Sequence, residues 1–172
     1  MKIYLRPITL DDAPLIVKWR NDPDVISHCM SKATVSIESN SEFYRNYVET
    51  GKYKQYIVEC TDETIGVAFY PIASVYLKDI DYVNKKCELC IFTSTDSEWT
   101  VESQSIAVRV LIQKAFEEFD MHKVYTYVFN KFQDEVELLK AAGFSSEAIL
   151  KDEAINSDGK YEDIVRLSIF RK

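Results

Sequence analysis

Three observations predict an α/β (α+β) fold, a mixed central sheet with helices packed on it. β-type and helical runs succeed one another along the whole chain in the order strand, two main helices, three strands, helix, strand, helix, two strands. The longest helical run, Val101 to Asp120, spaces Val108, Leu111, Ile112, Ala115, Phe116 and Phe119 three and four apart, which lays one apolar face on a sheet. Asp158-Gly159 stands between the last two β-type runs, a strong hairpin signal. Amphipathic helices and half-buried strands must cover one another. A chain of 172 residues that is 47% hydrophobic can bury one such core, so one domain over residues 1–172 is expected.

Ile3 to Ile8 reads as the first strand. Thr9 then caps a helix through Arg20, with Asp11 and Asp12 in its first turn and Pro14 near its start. Asn21-Asp22-Pro23-Asp24 interrupts it, and Asp24 is expected to cap a short second segment through Met30. Ile37, Phe43, Tyr44, Tyr47 and Val48 mark the next helix, Ser36 to Thr50, closed by Gly51. Tyr53 to Cys60 and Thr64 to Val75 form an antiparallel pair across Thr61-Asp62-Glu63. Tyr76 to Lys86 reads as a charged, irregular connection before the strand Cys87 to Thr93. After the long helix come a strand, His122 to Phe129, and a helix, Gln133 to Ala142, stopped by Gly143. The strands Phe144 to Lys151 and Glu162 to Phe170 end the chain.

Composition excludes several classes. A formal charge of −7 and a pI near 4.9 do not supply the basic face that nucleic acid requires. No apolar run reaches membrane-spanning length and the N-terminus does not read as a signal peptide, so a cytoplasmic protein without a membrane partner is expected. Cys87 and Cys90 spell Cys-Glu-Leu-Cys, yet on a strand residues three apart face opposite sides. Buried, reduced thiols are expected, with no metal. Eleven Tyr, nine Phe and two Trp suit a core lined by a pocket.

The order of elements and a series of local motifs carry a resemblance over nearly the whole chain. The motifs are Leu5-Arg6-Pro7, Lys18-Trp19-Arg20-Asn21-Asp22-Pro23, Glu88-Leu89, Trp99, Ala141-Ala142-Gly143-Phe144 and Asp158-Gly159-Lys160-Tyr161-Glu162-Asp163. In their order and spacing the chain resembles the GNAT acetyltransferases, and within them the branch of ribosomal-protein N-terminal and amino-sugar N-acetyltransferases. The resemblance implies a mostly antiparallel sheet, acetyl-CoA as acyl donor, and a small-molecule or peptide amine as acceptor. A monomer or homodimer is expected.

It also implies a site. Main-chain groups of Leu89, Cys90, Ile91, Phe92 and Thr93 would hold pantetheine. N–H groups of Val101, Glu102, Ser103, Gln104 and Ser105, at a helix N-terminus, would hold the diphosphate. The family's loop is glycine-rich, whereas Glu88 to Ala107 contains no glycine, and Trp99, Glu102 and Gln104 stand at the key positions. Side chains there hinder close approach to phosphate and restrict backbone conformation. Glu102 either takes electrostatically the place of phosphate or is a first-turn Glu facing solvent.

Glu88 is the candidate general base, since amine attack on a thioester requires loss of a proton. Its other reading is a structural ion pair. The Asn and Tyr common on the last helix of the family fall at Phe132 and Leu139, with Asn130 near the first position and Glu135 where some members have Ser. Trp19, Arg20, Asn21 and His28 are candidates for the acceptor side, against a packing Trp with a surface Arg. His122 reads as structural. The loops Ser31 to Ser36 and Tyr76 to Lys85 are expected to set acceptor specificity. Two further readings follow from the missing glycines and Tyr: a GNAT-like binding or regulatory domain without catalysis, or an acyltransferase fed by an acyl carrier protein.

Overall fold

A computed structural model describes residues 2–61, 64 and 69–172, with the side chains of Phe92 and Thr93 outside the description. The turn at Thr61-Asp62-Glu63 and the start of the strand expected from Thr64 lie largely outside the described residues. The elements are β1 (Ile3–Pro7), α1 (Ala13–Arg20), α2 (Pro23–His28), α3 (Ile37–Phe43), β2 (Lys54–Thr61), β3 (Phe69–Asp81) and β4 (Lys86–Thr93), then α4 (Val101–Gln113), β5 (Lys123–Phe129), α5 (Gln133–Ala141), β6 (Ser145–Ile155) and β7 (Tyr161–Phe170). The seven strands make one sheet in the order β1-β2-β3-β4-β5-β7-β6. Every neighbouring pair is antiparallel except β4 and β5, which run parallel. Among the described residues, no helix is long and apolar enough to cross a membrane.

Local chemistry explains the helix starts. Thr9 precedes one 3-10 turn, and its N–H donates to the Asp12 carboxylate at 2.9 Å before α1 begins. Asp22, not Asp24, caps α2, its carboxylate accepting from the N–H of Asp24 at 2.9 Å. Pro23 fixes the first helical position, so the cap falls one residue before it. Ser36 and Ser39 cap α3 reciprocally, at 3.0 and 2.8 Å. Both α3 and α4 finish in one wide π turn, at Tyr44–Val48 and Lys114–Glu118, and Gly51 and Gly143 take the positive φ values that follow α3 and α5.

One expectation is corrected in a way that shapes the site. Residues Tyr76 to Asp81 are not an irregular connection but the second half of β3, paired with β4. Only residues 82–85 turn, held by the Asp81 carboxylate, which accepts from the N–H groups of Val83 and Asn84 at 2.9 and 2.8 Å. The polar alternation of this stretch belongs to a strand with one face on the core and one on the cleft. A bulge between Lys78 and Asp81, with Asp79 at a φ of 48°, accommodates the extra residues.

The sheet buries both faces. On one side Val58, Val75, Leu77, Leu89, Val124 and Val165 pack with Leu111 of α4 and Leu139 of α5. On the other, Ile8, Ile16, Trp19 and Ile57 form a smaller core under α1. Arg6 of β1 ties strand to helix: its guanidinium donates to both Asp12 oxygens at 2.8 Å and to Glu59 at 2.7 Å. Burial works against the Asp12 charge, but the hydrogen bonds from Arg6 and Thr9 prevail and hold its carboxyl below the usual range. Cys87 is fully buried in the large core while Cys90 lies on the cleft side, as strand alternation requires.

Candidate active site

The site forms where β4 and β5 part. Their parallel pairing covers Lys86, Cys87 and Glu88 against Lys123, Val124 and Tyr125, and stops there. From Leu89 to Thr93 the main chain of β4 is left without a strand on that side, so its N–H and C=O groups face a cleft.

Three adjoining cavities run through it. The first, of about 290 Å³, lies between α2, the start of α4 and α5, and is bordered by His28, Trp99, Val101, Gln104, Asp134 and Glu135. The second, of about 120 Å³, contains the borders Arg20, Tyr76, Lys78, Glu88 and Cys90. The third, of about 400 Å³, opens among α1, α3, β2 and β3, bordered by Phe43, Tyr53 and Gln55 among others. His28 and Glu135 border both the first and second cavities. Arg20, Tyr76 and Lys78 border both the second and third. The central cavity thus adjoins both others, and Glu88 is on its wall.

Register places the polar groups of the cleft. Tyr76 pairs with Cys90 and Lys78 with Glu88 across β3 and β4, sending all four side chains to the cleft face, while Leu77 and Leu89 point into the core. Glu88 is 8% exposed and lies 3.4 Å from the Lys78 ammonium. Burial pushes its carboxyl up, and Asp79 adds to this, while Lys78 pulls it down without cancelling the rise. Cys90 beside it and its own burial push the Tyr76 hydroxyl well up, so it is protonated at neutral pH. His28 stacks on Phe132 with ring centroids 3.9 Å apart, and its Nδ1 meets the Glu135 carboxylate, which makes the wall between the first two cavities.

The donor side fits the acyl-bearing arm of coenzyme A better than its diphosphate. An extended arm matches the open main chain of β4, and the buried indole Nε1 of Trp99, on the wall of the first cavity, has no hydrogen-bond partner. At the α4 start, Thr100 Oγ1 already accepts from the Ser103 N–H at 3.3 Å, and the Gln104 N–H is bonded to Thr100 O at 2.9 Å. Neither bond uses the N–H groups of Val101 and Glu102 at the helix N-terminus. Among the described residues no Lys or Arg borders this cavity, while Asp24, Asp134 and Glu135 do. The missing glycines are not needed for backbone shape, since no described residue between 94 and 105 has a positive φ. What side chains limit there is approach alone.

Several sequence candidates are brought together and others are not. Glu88, Leu89, Cys90, Ile91, Arg20 and His28 border the central cavity, and Val101 and Gln104 border the donor cavity. Glu102 is exposed and borders neither, which supports its solvent-facing reading. The Ser103 hydroxyl is buried, donating toward Glu98 O at 2.7 Å, and belongs to the helix cap. Ser105 borders none of the three cavities. Trp19, 2% exposed, is core rather than acceptor wall. Asn21 holds the following loop instead, its amide bonded both ways to the Val35 main chain at 2.7 and 2.8 Å. Asn130 lies outside the cavities and bonds to Gln133. Tyr76 and Lys78 lie in the stretch expected to set acceptor specificity but were not singled out, and Tyr53 was missed; the period-two alternation Tyr76, Lys78 beyond the apolar run was the available signal.

Comparison with known proteins agrees with this geometry. A family profile described as an acetyltransferase (GNAT) domain matches residues 2–145. Spermidine N(1)-acetyltransferase of Vibrio cholerae is 22% identical over 170 residues, covering 99% of this chain and 94% of that protein. Acetyltransferase PseH of Campylobacter jejuni is 29% identical over 118 residues, 67% of this chain and 65% of that protein. The crystal structure of the Vibrio cholerae spermidine N-acetyltransferase in complex with CoA and spermine superposes with a TM-score of 0.83 at 21% identity, covering 98% of this chain and 95% of that one. With the parting of β4 and β5 and a family match over most of its length, the chain belongs to the GNAT acetyltransferase family and is an acetyl-CoA-dependent N-acetyltransferase.

Proposed function

We propose that Glu88 is the general base for acetylation of a small-molecule primary amine that enters through the 400 Å³ cavity. The observation that carries this is the placement of Glu88: a buried carboxylate with its pKa raised by burial, where the donor and acceptor cavities converge. A raised carboxylate is a better proton acceptor for an ammonium that must become a neutral amine before attack. Lys78, 3.4 Å away, works against that rise and favours the ionised form that a base requires.

Bound acetyl-CoA supplies an activated thioester carbonyl. The open main chain of β4 and the N–H groups of Val101 and Glu102 orient it, and His28 with Glu135 narrows the passage to the central cavity. Tyr76 keeps its proton at neutral pH in the same cavity and is the candidate donor for the departing thiolate, in place of the Tyr that Leu139 replaces on α5. Holding amine and donor in one 120 Å³ space supplies much of the rate by proximity. The reading is tested by acetyl-CoA turnover across an amine panel, with Glu88→Gln as the comparison. Glu88→Gln is expected to lower kcat by about 10²- to 10⁴-fold with donor binding retained. Unchanged turnover in Glu88→Gln would remove the base assignment.

A further inference from the structure

We propose that the acceptor carries an anionic group, a carboxylate or a phosphate ester, which the Arg20 guanidinium receives while the amine reaches Glu88. This rests on the amine-acetylation reading above and adds the acceptor's chemical class. The chain holds 28 acidic against 21 basic residues, so acids outnumber bases in it. The acceptor cavity departs from that balance. Among the described residues none of those bordering it is Asp or Glu, while Arg20 and Lys78 both are on its wall.

The two cations are not equivalent. Lys78 is matched by Glu88 at 3.4 Å, so its charge is already answered. Arg20 has no carboxylate partner among the described residues; its Nη1 donates to the Cys29 sulfur at 2.9 Å. A guanidinium left with a thiol as its neighbour keeps most of its planar donor fork for a carboxylate or phosphate, which it binds bidentately. Arg20 borders the central cavity as well as the acceptor cavity, so an anion beside it leaves the rest of a small molecule within reach of Glu88.

A polycation is poorly served by the same wall. Spermidine, named for the relatives above, presents several ammonium groups, and each would need a carboxylate or aromatic face to replace water. Tyr53 and Tyr76, stacked with centroids 5.7 Å apart, offer ring surface, but the unmatched Arg20 repels the charge. The uncharged polar border, Ser39, Asn40 and Gln55, suits hydroxyl or amide groups on an anionic acceptor.

The test is steady-state acetyl transfer by the wild-type protein, Arg20→Met and Arg20→Lys toward four acceptors: glucosamine 6-phosphate, a dipeptide with a free carboxylate, phenethylamine and spermidine. One anion-bearing amine is expected to exceed spermidine in kcat/KM, and which of the two does so separates phosphate from carboxylate. Arg20→Met is expected to raise KM for that amine by about ten- to a hundredfold with kcat held, a larger change than toward phenethylamine, and Arg20→Lys to recover part of the loss. Preference for spermidine, or an equal loss toward all four acceptors in a folded Arg20→Met, overturns the inference alone. Turnover of none of the four removes the amine-acetylation reading and the inference with it. If Arg20→Met does not fold, inhibition of wild-type phenethylamine acetylation by inorganic phosphate or malonate decides: competition against the amine supports the inference, and its absence overturns it.

Discussion

Removing the Lys78 charge should move the acidic limb of the pH–rate profile, and the structure fixes both direction and size. Glu88 is the base only when ionised, so kcat/KM falls as pH drops through its pKa in the free enzyme. Burial holds that pKa up and Lys78 holds it down. Replacing Lys78 by Met keeps the aliphatic volume, removes the opposing charge and leaves burial and Asp79 in place. At 3.4 Å two unit charges interact by about 1.2 kcal/mol in bulk water and by about 2.4 kcal/mol at half that dielectric. Because the Lys78 side chain is only 29% exposed and Glu88 less, the pair is screened less than in bulk water and the water figure is the lower bound. At 1.36 kcal/mol per pH unit, the limb should rise by about one unit or more. The assay is kcat/KM for the preferred amine between pH 5 and pH 10 in wild type, Lys78→Met and Glu88→Gln. In Glu88→Gln the limb should vanish. A limb that stays in place or moves to lower pH in Lys78→Met would mean that the titrating group is not Glu88.

Three further outcomes follow from other parts of the fold. Asp134→Asn, which lowers the negative charge bordering the donor cavity, should reduce the KM for acetyl-CoA by about two- to tenfold at low ionic strength, with the gain fading as salt is added. Trp19→Ala should cost about 3 to 5 kcal/mol in chemical unfolding, because the indole is nearly fully buried with Ile8, Ile16 and Ile57, and a smaller loss would show that this core can collapse. Asp12→Asn should destabilise by about 1 to 2 kcal/mol at neutral pH by weakening its bonds to Arg6. Since the folded Asp12 carboxyl titrates below its usual range, that contribution is present above the unfolded pKa and is lost as pH falls through the folded one, so the two stability curves should converge in acid.

Elements written in local chemistry were legible in the chain. The helix start at Ser36, Gly51 and Gly143 after helices, and Asp158-Gly159 between β6 and β7 act through their own backbone and nearest neighbours, whereas the α2 start expected at Asp24 falls at Pro23 under the Asp22 cap. The stretch Tyr76 to Asp81 was misread because its alternation is polar on one side: Lys78 and Asp79 look like loop residues until Glu88 and the cleft are opposite them. Arg6 gave no sign of its role, since Asp12 and Glu59 reach it from different elements.

The sequence by itself determined the order of strands and helices, most of their extents outside Tyr76 to Asp81, and the position of Glu88 on the central strand, because periodicity and capping are short-range. Only the tertiary structure decided that β4 and β5 part after Glu88, that the glycine-free α4 start needs no left-handed residue, and that Arg20 reaches the cleft while Trp19 and Asn21 do not. Successive residues of α1 differ in direction by about 100° around its axis, and which direction meets the cleft depends on how the helix lies on the sheet. Cavity borders and charge pairing join residues far apart in sequence, so packing alone settles them.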